Sequence, residues 1–299
     1  MKQAAAVLLW CVIVLFAIAA MSQTPQNPSP ELLSYTPADF DKLVNAYFDQ
    51  YFKFHPSEAT AAGFHEYDSQ FEDLSAPARA KELAFLTEFK QEFGIFHPDR
   101  LDEQQKADLK LVANAVNARL LELQEVRMWE RDPDLYSSAP SASIFVLINR
   151  KFAPPEQRLQ AVTAREQKLP AWFAAAKSNL KNPPRVYTEI ALEQLPGIIG
   201  FFQHDVPAAF KDVTDQKLLS DFKAANDKTI DELERYQNFL QKDLLPISKG
   251  DFRLGAEKYK KKLLYEEMTD IPLDRLLQIG YDDLHRNQAE LKRVAAIID

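Results

Sequence analysis

Apolar residues recur at three- and four-residue spacing along most of this chain, a period that predicts helices and not strands. Thr36-Pro37-Ala38-Asp39 sets an N-cap before a proline, and Phe40, Leu43, Val44, Tyr47, Phe48, Tyr51 and Phe52 follow in helical phase. Pro56 interrupts that helix, and a short one runs from it to Ala62 and stops at Gly63. Ser75-Ala76-Pro77 opens a helix carrying Leu83, Leu86, Phe89 and Phe93, which ends at Gly94. Asp102 to Trp129 reads as one long helix, closed by Asp132-Pro133. Further helices are predicted from Ser138 to Arg150, from Pro154 to Leu180 with a kink at Pro170, and from Val186 to Phe210 with a break at Pro196-Gly197. Thr214-Asp215 caps a helix through Leu245, Ala256 to Glu267 forms another, and Pro272 starts the last. The expected fold is all-α, a compact array of about ten helices with short connections and little or no β-structure.

The last helix differs from the others. Ile271, Leu276, Ile279, Leu284, Leu291, Val294, Ile297 and Ile298 include an apolar face still in phase at the final residues, and no stop signal precedes Asp299. This predicts a helix cut in mid-course, with a frayed terminal helix as the alternative.

The N-terminus has another pattern. Met1-Lys2 precedes an apolar run from Ala4 to Ala20, and Ala17-Ile18-Ala19 fits a signal-peptidase site. Residues 1–22 are therefore expected to be a signal peptide, 23–35 a linker, and 36–299 one helical domain. The expected location is the periplasm or the exterior. The alternative is an inner-membrane anchor by residues 4–20, the one route by which a membrane enters. Cys11 is no lipoprotein site, because Trp10 stands where a small residue is required.

Cys11 is the only cysteine, so the chain after the leader has no disulfide, thiolate nucleophile or cysteine-bound metal. Scarce glycine (seven, against 18 prolines) fits helices and leaves little room for a phosphate loop. The whole chain has 36 basic and 44 acidic residues. The leader carries only Lys2, so the remainder stands at 35 against 44, or −9. That balance disfavours nucleic acid as a partner.

No catalytic motif survives inspection. His65-Glu66-x-x-Ser69 has the first half of a zinc-hydrolase motif, but Ser69 replaces the second histidine. His204-Asp205 are adjacent and so do not share a helix face. Asp282-x-x-His285 shares a face but lacks the companion carboxylates of a metal-binding bundle. Ser178-x-x-Lys181 and Ser220-x-x-Lys223 lack the companion elements of serine acyltransferases. The aromatic groups Phe48/Tyr51/Phe52/Phe54, Phe201/Phe202 and Trp172/Phe173 are expected to pack cores, with a ligand-binding wall as the alternative.

Several segments together resemble a known family. Tyr51-x-x-x-His55-Pro56-Ser57-Glu58-Ala59-Thr60-x-x-Gly63, Asp73-Leu74-Ser75, Phe252-Arg253-Leu254-Gly255-Ala256-Glu257-Lys258-Tyr259 and Leu276-x-x-x-Gly280-Tyr281 are similar, in order, to signatures of the bacterial domain of unknown function 885. The resemblance implies an exported, zinc-peptidase-like helical parent of about twice this length, acting on peptides, with an H-E-x-x-H motif in its second half. Nothing in this chain matches that motif. The resemblance thus implies no cofactor or catalytic residue here, with zinc in the missing half. It marks Arg253, Glu257 and Tyr259 as residues bordering a substrate cleft. The chain would be a non-catalytic N-terminal portion forming part of a substrate channel and inactive alone. The alternative is a self-contained periplasmic binding module.

Overall fold

A computed structural model describes residues 35–298. The expected signal segment, and all of the expected linker but Tyr35, lie outside them. The described chain is all-α, with thirteen α-helices of which ten reach eleven residues or more. These are α1 (Pro37–Phe54), α2 (Pro56–Ala62), α3 (Ala76–Gly94), α4 (Glu103–Leu121), α5 (Met128–Arg131), α6 (Pro133–Asn149), α7 (Pro155–Glu166), α8 (Leu169–Asn179), α9 (Arg185–Gly200), α10 (Val206–Ala209), α11 (Gln216–Phe239), α12 (Ala256–Glu266) and α13 (Leu273–Ile298).

The caps follow the sequence closely. Thr36 and Asp39 form a reciprocal capping box at α1, and Asp102 and Gln105 form another at α4. The Ser75 hydroxyl accepts from the Ala78 amide at α3. Gly63 closes α2 in the left-handed conformation, with φ +100°. Gly250 makes the one isolated bridge, to Pro184, and a Cβ there would lie 2.3 Å from the Asn182 carbonyl.

Several boundaries depart from expectation, and each has a local cause. The helix expected to run to Trp129 ends at Leu121, where a π-turn spans Glu122–Val126 and Arg127 turns left-handed at φ +59°. There Met128 N–H donates to the Glu122 carboxylate at 2.8 Å, and the Trp129 indole donates to the Leu123 carbonyl at 3.2 Å. Asp132-Pro133 starts α6, five residues before the expected Ser138, because the Asp132 side chain caps Asp134 N–H. The helix expected to kink at Pro170 is two helices. Pro170 sits in the first turn of α8, where its missing donor costs nothing. The break expected at Pro196-Gly197 falls instead at a π-turn, Phe201–Asp205, whose Phe202 carbonyl accepts from Asn226 Nδ2 at 2.9 Å. The helix expected to reach Leu245 ends at Phe239 and passes into a π-turn, Leu240–Leu244.

Two apolar clusters form the interior. One joins α1, α3 and α4 through Phe40, Tyr47, Phe85, Leu86, Phe89, Phe93 and Val116. The larger joins α6 to α11 through Tyr136, Ile144, Leu159, Trp172, Phe173, Phe202, Leu233 and Tyr236. Trp172, Phe173 and Phe202 thus pack cores as expected, whereas Phe48 is exposed. α12 lies on α4, tied by Lys261 to Glu125 at 2.7 Å. α13 has no buried residue. Its Leu277, Leu284, Leu291 and Ile298 recur every seven residues, with Leu273, Gly280 and Val294 between them, which is the seam pattern of a paired helix. Among the described residues no helix is long and apolar enough to cross a membrane.

One buried charge has no partner. Glu166 is 1% exposed, and neither carboxylate oxygen has a hydrogen bond. Its neighbour Arg165 donates elsewhere, to the Ser143 carbonyl and the Thr60 hydroxyl. Burial pushes the Glu166 carboxyl from 4.5 up to about 9. Between those values the folded chain holds a proton that the unfolded chain releases, so stability falls as pH rises through that window. Glu166→Gln removes the titration. Its stability advantage, measured by urea unfolding at pH 5, 7 and 8, should grow by about 1 kcal/mol per pH unit. An advantage that does not change with pH would mean that the carboxylate reaches water.

Candidate functional site

A cleft of about 730 Å³ opens between the two apolar clusters. Its walls come from the end of α1, from α2, from residues 71–75, from the start of α3, from the π-turn after α4, and from α5, α6 and α8. Phe54, Phe71, Leu123, Trp129, Leu135 and Trp172 make it largely apolar.

Pro56 sets the polar wall. It has no N–H to continue α1, and it steers His55 out of helical geometry, to φ −125° and ψ 58°. That swing buries His55 against α3, stacked on Tyr51 at 4.2 Å between ring centres. His55 Nε2 lies 2.9 Å from Glu82 Oε1, and Nδ1 lies 3.6 Å from Glu58 Oε1. Arg119 forks onto Glu82, its Nε donating to Oε1 at 2.6 Å and its Nη2 to Oε2 at 3.1 Å. The Tyr51 hydroxyl donates to Glu58 at 2.7 Å. Burial alone would raise Glu82. The hydrogen bonds from His55 and Arg119 outweigh it and hold the carboxyl at about 2.

Ser57 completes the motif. Its amide and its hydroxyl both donate to the Glu72 carboxylate, at 2.8 and 2.9 Å, and so fix the loop before α3. Across the cleft, Arg79 covers the Trp129 ring at 3.8 Å and donates to Asn179 at 2.9 Å. Asn179 Nδ2 donates to the Leu74 carbonyl and to the Tyr136 hydroxyl.

The residues singled out from sequence lie elsewhere. Arg253 is exposed and pairs with Asp251 at 3.1 Å. Glu257 is exposed and pairs with Lys260 at 3.2 Å. Tyr259 lines a shallow groove on α13, with Leu273, Leu277, Gly280 and Leu284. None of the three lines the large cleft. His65 sits in a short 3-10 turn, stacked on Phe152 at 4.0 Å with Asp68 beside its Nδ1. His204 is exposed within a π-turn, and His285 is exposed on α13. Among the described residues no group of three or more His, Cys, Asp or Glu side chains is arranged to hold a metal ion.

The model of a bacterial protein family of unknown function, DUF885, matches residues 56–299, beginning at the proline that turns His55 inward. The chain belongs to the DUF885 family. Three solved chains match it. One is described as "a putative lipoprotein of unknown function from Shewanella oneidensis", with 26% identity and a TM-score of 0.75. The match covers 84% of this chain and 46% of that one, so this DUF885 chain spans about half the length of that relative. No curated protein matches.

Glu82 is buried, and the Arg119 side chain is a quarter exposed. Removing one partner of such a pair strands the other charge. Glu82→Ala should therefore lower unfolding stability by about 3 kcal/mol. Adding Arg119→Leu should restore part of that loss, as a double-mutant cycle in urea would measure. A single-variant loss below about 0.5 kcal/mol would show that the pair does not hold the wall.

Proposed function

We propose that this chain is the N-terminal, non-catalytic helical portion of an exported metallopeptidase-like protein, and that α12 and α13 form one wall of a substrate channel completed by further polypeptide. The observation that carries this reading is the bare seam of α13. A 26-residue helix with leucines at seven-residue spacing and no buried side chain is built to be covered. Tyr259 and Gly280, from two of the family-like segments, line the same groove as Leu277 and Leu284. The share of the matched Shewanella chain that this one spans leaves room for the covering part. Arg253, Glu257 and Tyr259 would border the completed channel, and peptides are its proposed substrates. Export is supported by the apolar leader and by the lipoprotein description of the matched protein.

The purified chain should hold zinc far below one atom per molecule by elemental analysis, and should not hydrolyse a broad panel of peptides. Stoichiometric zinc with peptide turnover would sink this reading. The seam itself is testable by size exclusion. The unaltered chain should self-associate, and Leu284→Lys with Leu291→Lys should run as a monomer, since both side chains are solvent-exposed and free to join a seam.

A second reading, a self-contained periplasmic binding module, is favoured by the cleft, whose walls come from the helices before α9 and not from the bare α13. Reading the gene beyond the Asp299 codon separates the two. A continuation carrying H-E-x-x-H supports the first.

A further inference from the structure

We propose that the large cleft binds a primary ammonium group carried on an apolar body, with the Glu122 carboxylate as its anion. This inference rests on the cleft alone and is independent of the peptidase-like reading.

The charges around the cleft do not balance. Glu58, Glu72, Asp73, Glu82 and Glu122 line it, against Lys53, Lys81, Arg119 and His55. Glu82 is engaged by Arg119 and His55. Glu72 is engaged through both oxygens by Ser57. Lys53 and Lys81 are exposed. Glu122 is different: it is partly buried, and its one hydrogen bond among the described residues is from Met128 N–H to Oε1. Desolvation raises its carboxyl from the ordinary value, and a cation in the cleft would offset that burial. Of the cations beside it, Arg119 forks onto Glu82 and Lys262 pairs with Glu266.

The backbone holds Glu122 in place at a cost. It opens the π-turn, and the turn ends at Arg127 in the left-handed region, a conformation that strains any residue with a side chain. Single π-turns recur at functional sites. The Arg127 guanidinium turns away, onto Glu130 and over the Trp129 ring at 5.0 Å, so it does not neutralise Glu122. With Glu58, Glu72, Asp73 and Glu82 each held by other groups, Glu122 offers a metal ion a single ligand, whereas it suits an ammonium whose remaining bulk is hydrophobic. A peptide amino terminus beside an apolar side chain has that chemistry, and so does a simple alkylamine.

Trp129 and Trp172 both line the cleft, so intrinsic fluorescence reports its occupancy, and calorimetry on the full chain supplies affinities. The probes are leucyl-leucine amide, its N-acetyl counterpart, and n-hexylamine. The free-amine dipeptide should bind about tenfold or more tightly than the acetylated one, the scale of a charge-assisted hydrogen bond. Glu122→Gln should reduce that ratio to about twofold or less while the circular dichroism stays unchanged. Ala142→Phe, at an exposed lining position, should weaken all three probes and serves as a second variant. Hexylamine matching the dipeptide would make the source any alkylamine, and hexylamine binding tenfold more weakly would make it a peptide amino terminus. Either result supports the ammonium site. Equal binding of the acetylated probe, an undiminished ratio in Glu122→Gln, or no binding of any probe would overturn it.

Discussion

Polar and charged groups sealed among the helices make directional contacts, and in this chain these contacts tie the helices of the two apolar clusters around the cleft. The Glu82–Arg119 fork joins α3 to α4, and His55 joins both to the junction of α1 and α2. Arg165, fully buried, reaches from α7 to Thr60 on α2 and to the Ser143 carbonyl on α6. Asn179 and Arg79 tie α8 to the start of α3. Two oily clusters alone could slide past each other, because dispersion and burial have no direction. Hydrogen bonds to buried charges do have direction, and they set the relative placement that leaves the cleft open.

That requirement accounts for the first family-like segment. Pro56 ends α1 and turns His55 inward. Ser57 holds Glu72, Glu58 receives the Tyr51 hydroxyl, Ala59 and Thr60 are buried, and Thr60 receives Arg165. Gly63 supplies the left-handed cap. Each of these contacts helps to shape the wall. A short motif rich in polar residues here reads as the joint on which a site is built.

Most of the fold was legible because its boundaries are written in single residues. Thr36, Ser75, Asp102 and Asp215 cap helices where their side chains predict. The π-turns were not legible, since one extra residue per turn leaves an apolar period nearly intact. Leu120, Leu123 and Val126 stay in helical phase straight through the turn at Glu122. The cleft was missed for a different reason. Motif spellings mark reactive groups, whereas the polar wall is made of charges in phase with the buried stripes. Glu82 precedes Phe85, Leu86 and Phe89 on one face, Arg119 falls between Val116 and Leu123, and Glu166 between Val162 and Leu169. A charge standing in the apolar register was the available signal.

The α13 helix obeys the opposite logic. Elsewhere a helix is held by what it buries, and tertiary packing supplies most helical stability. α13 buries nothing and is supported along its length by neighbours on its own surface: Arg286 with Asp283, Arg293 with Glu290 at 2.5 Å, and Gln278 with Asp282 at 2.7 Å. Such exposed pairs contribute about 0.2–0.5 kcal/mol each, too little to hold 26 residues helical in isolation. Leu277, Leu284, Leu291 and Ile298 along the opposite face, with Leu273 and Val294 beside them, would contribute far more once removed from water. The cleft lies some helices away and takes no wall from α13. The two surfaces can fail separately, and a partner for one need not be a ligand for the other.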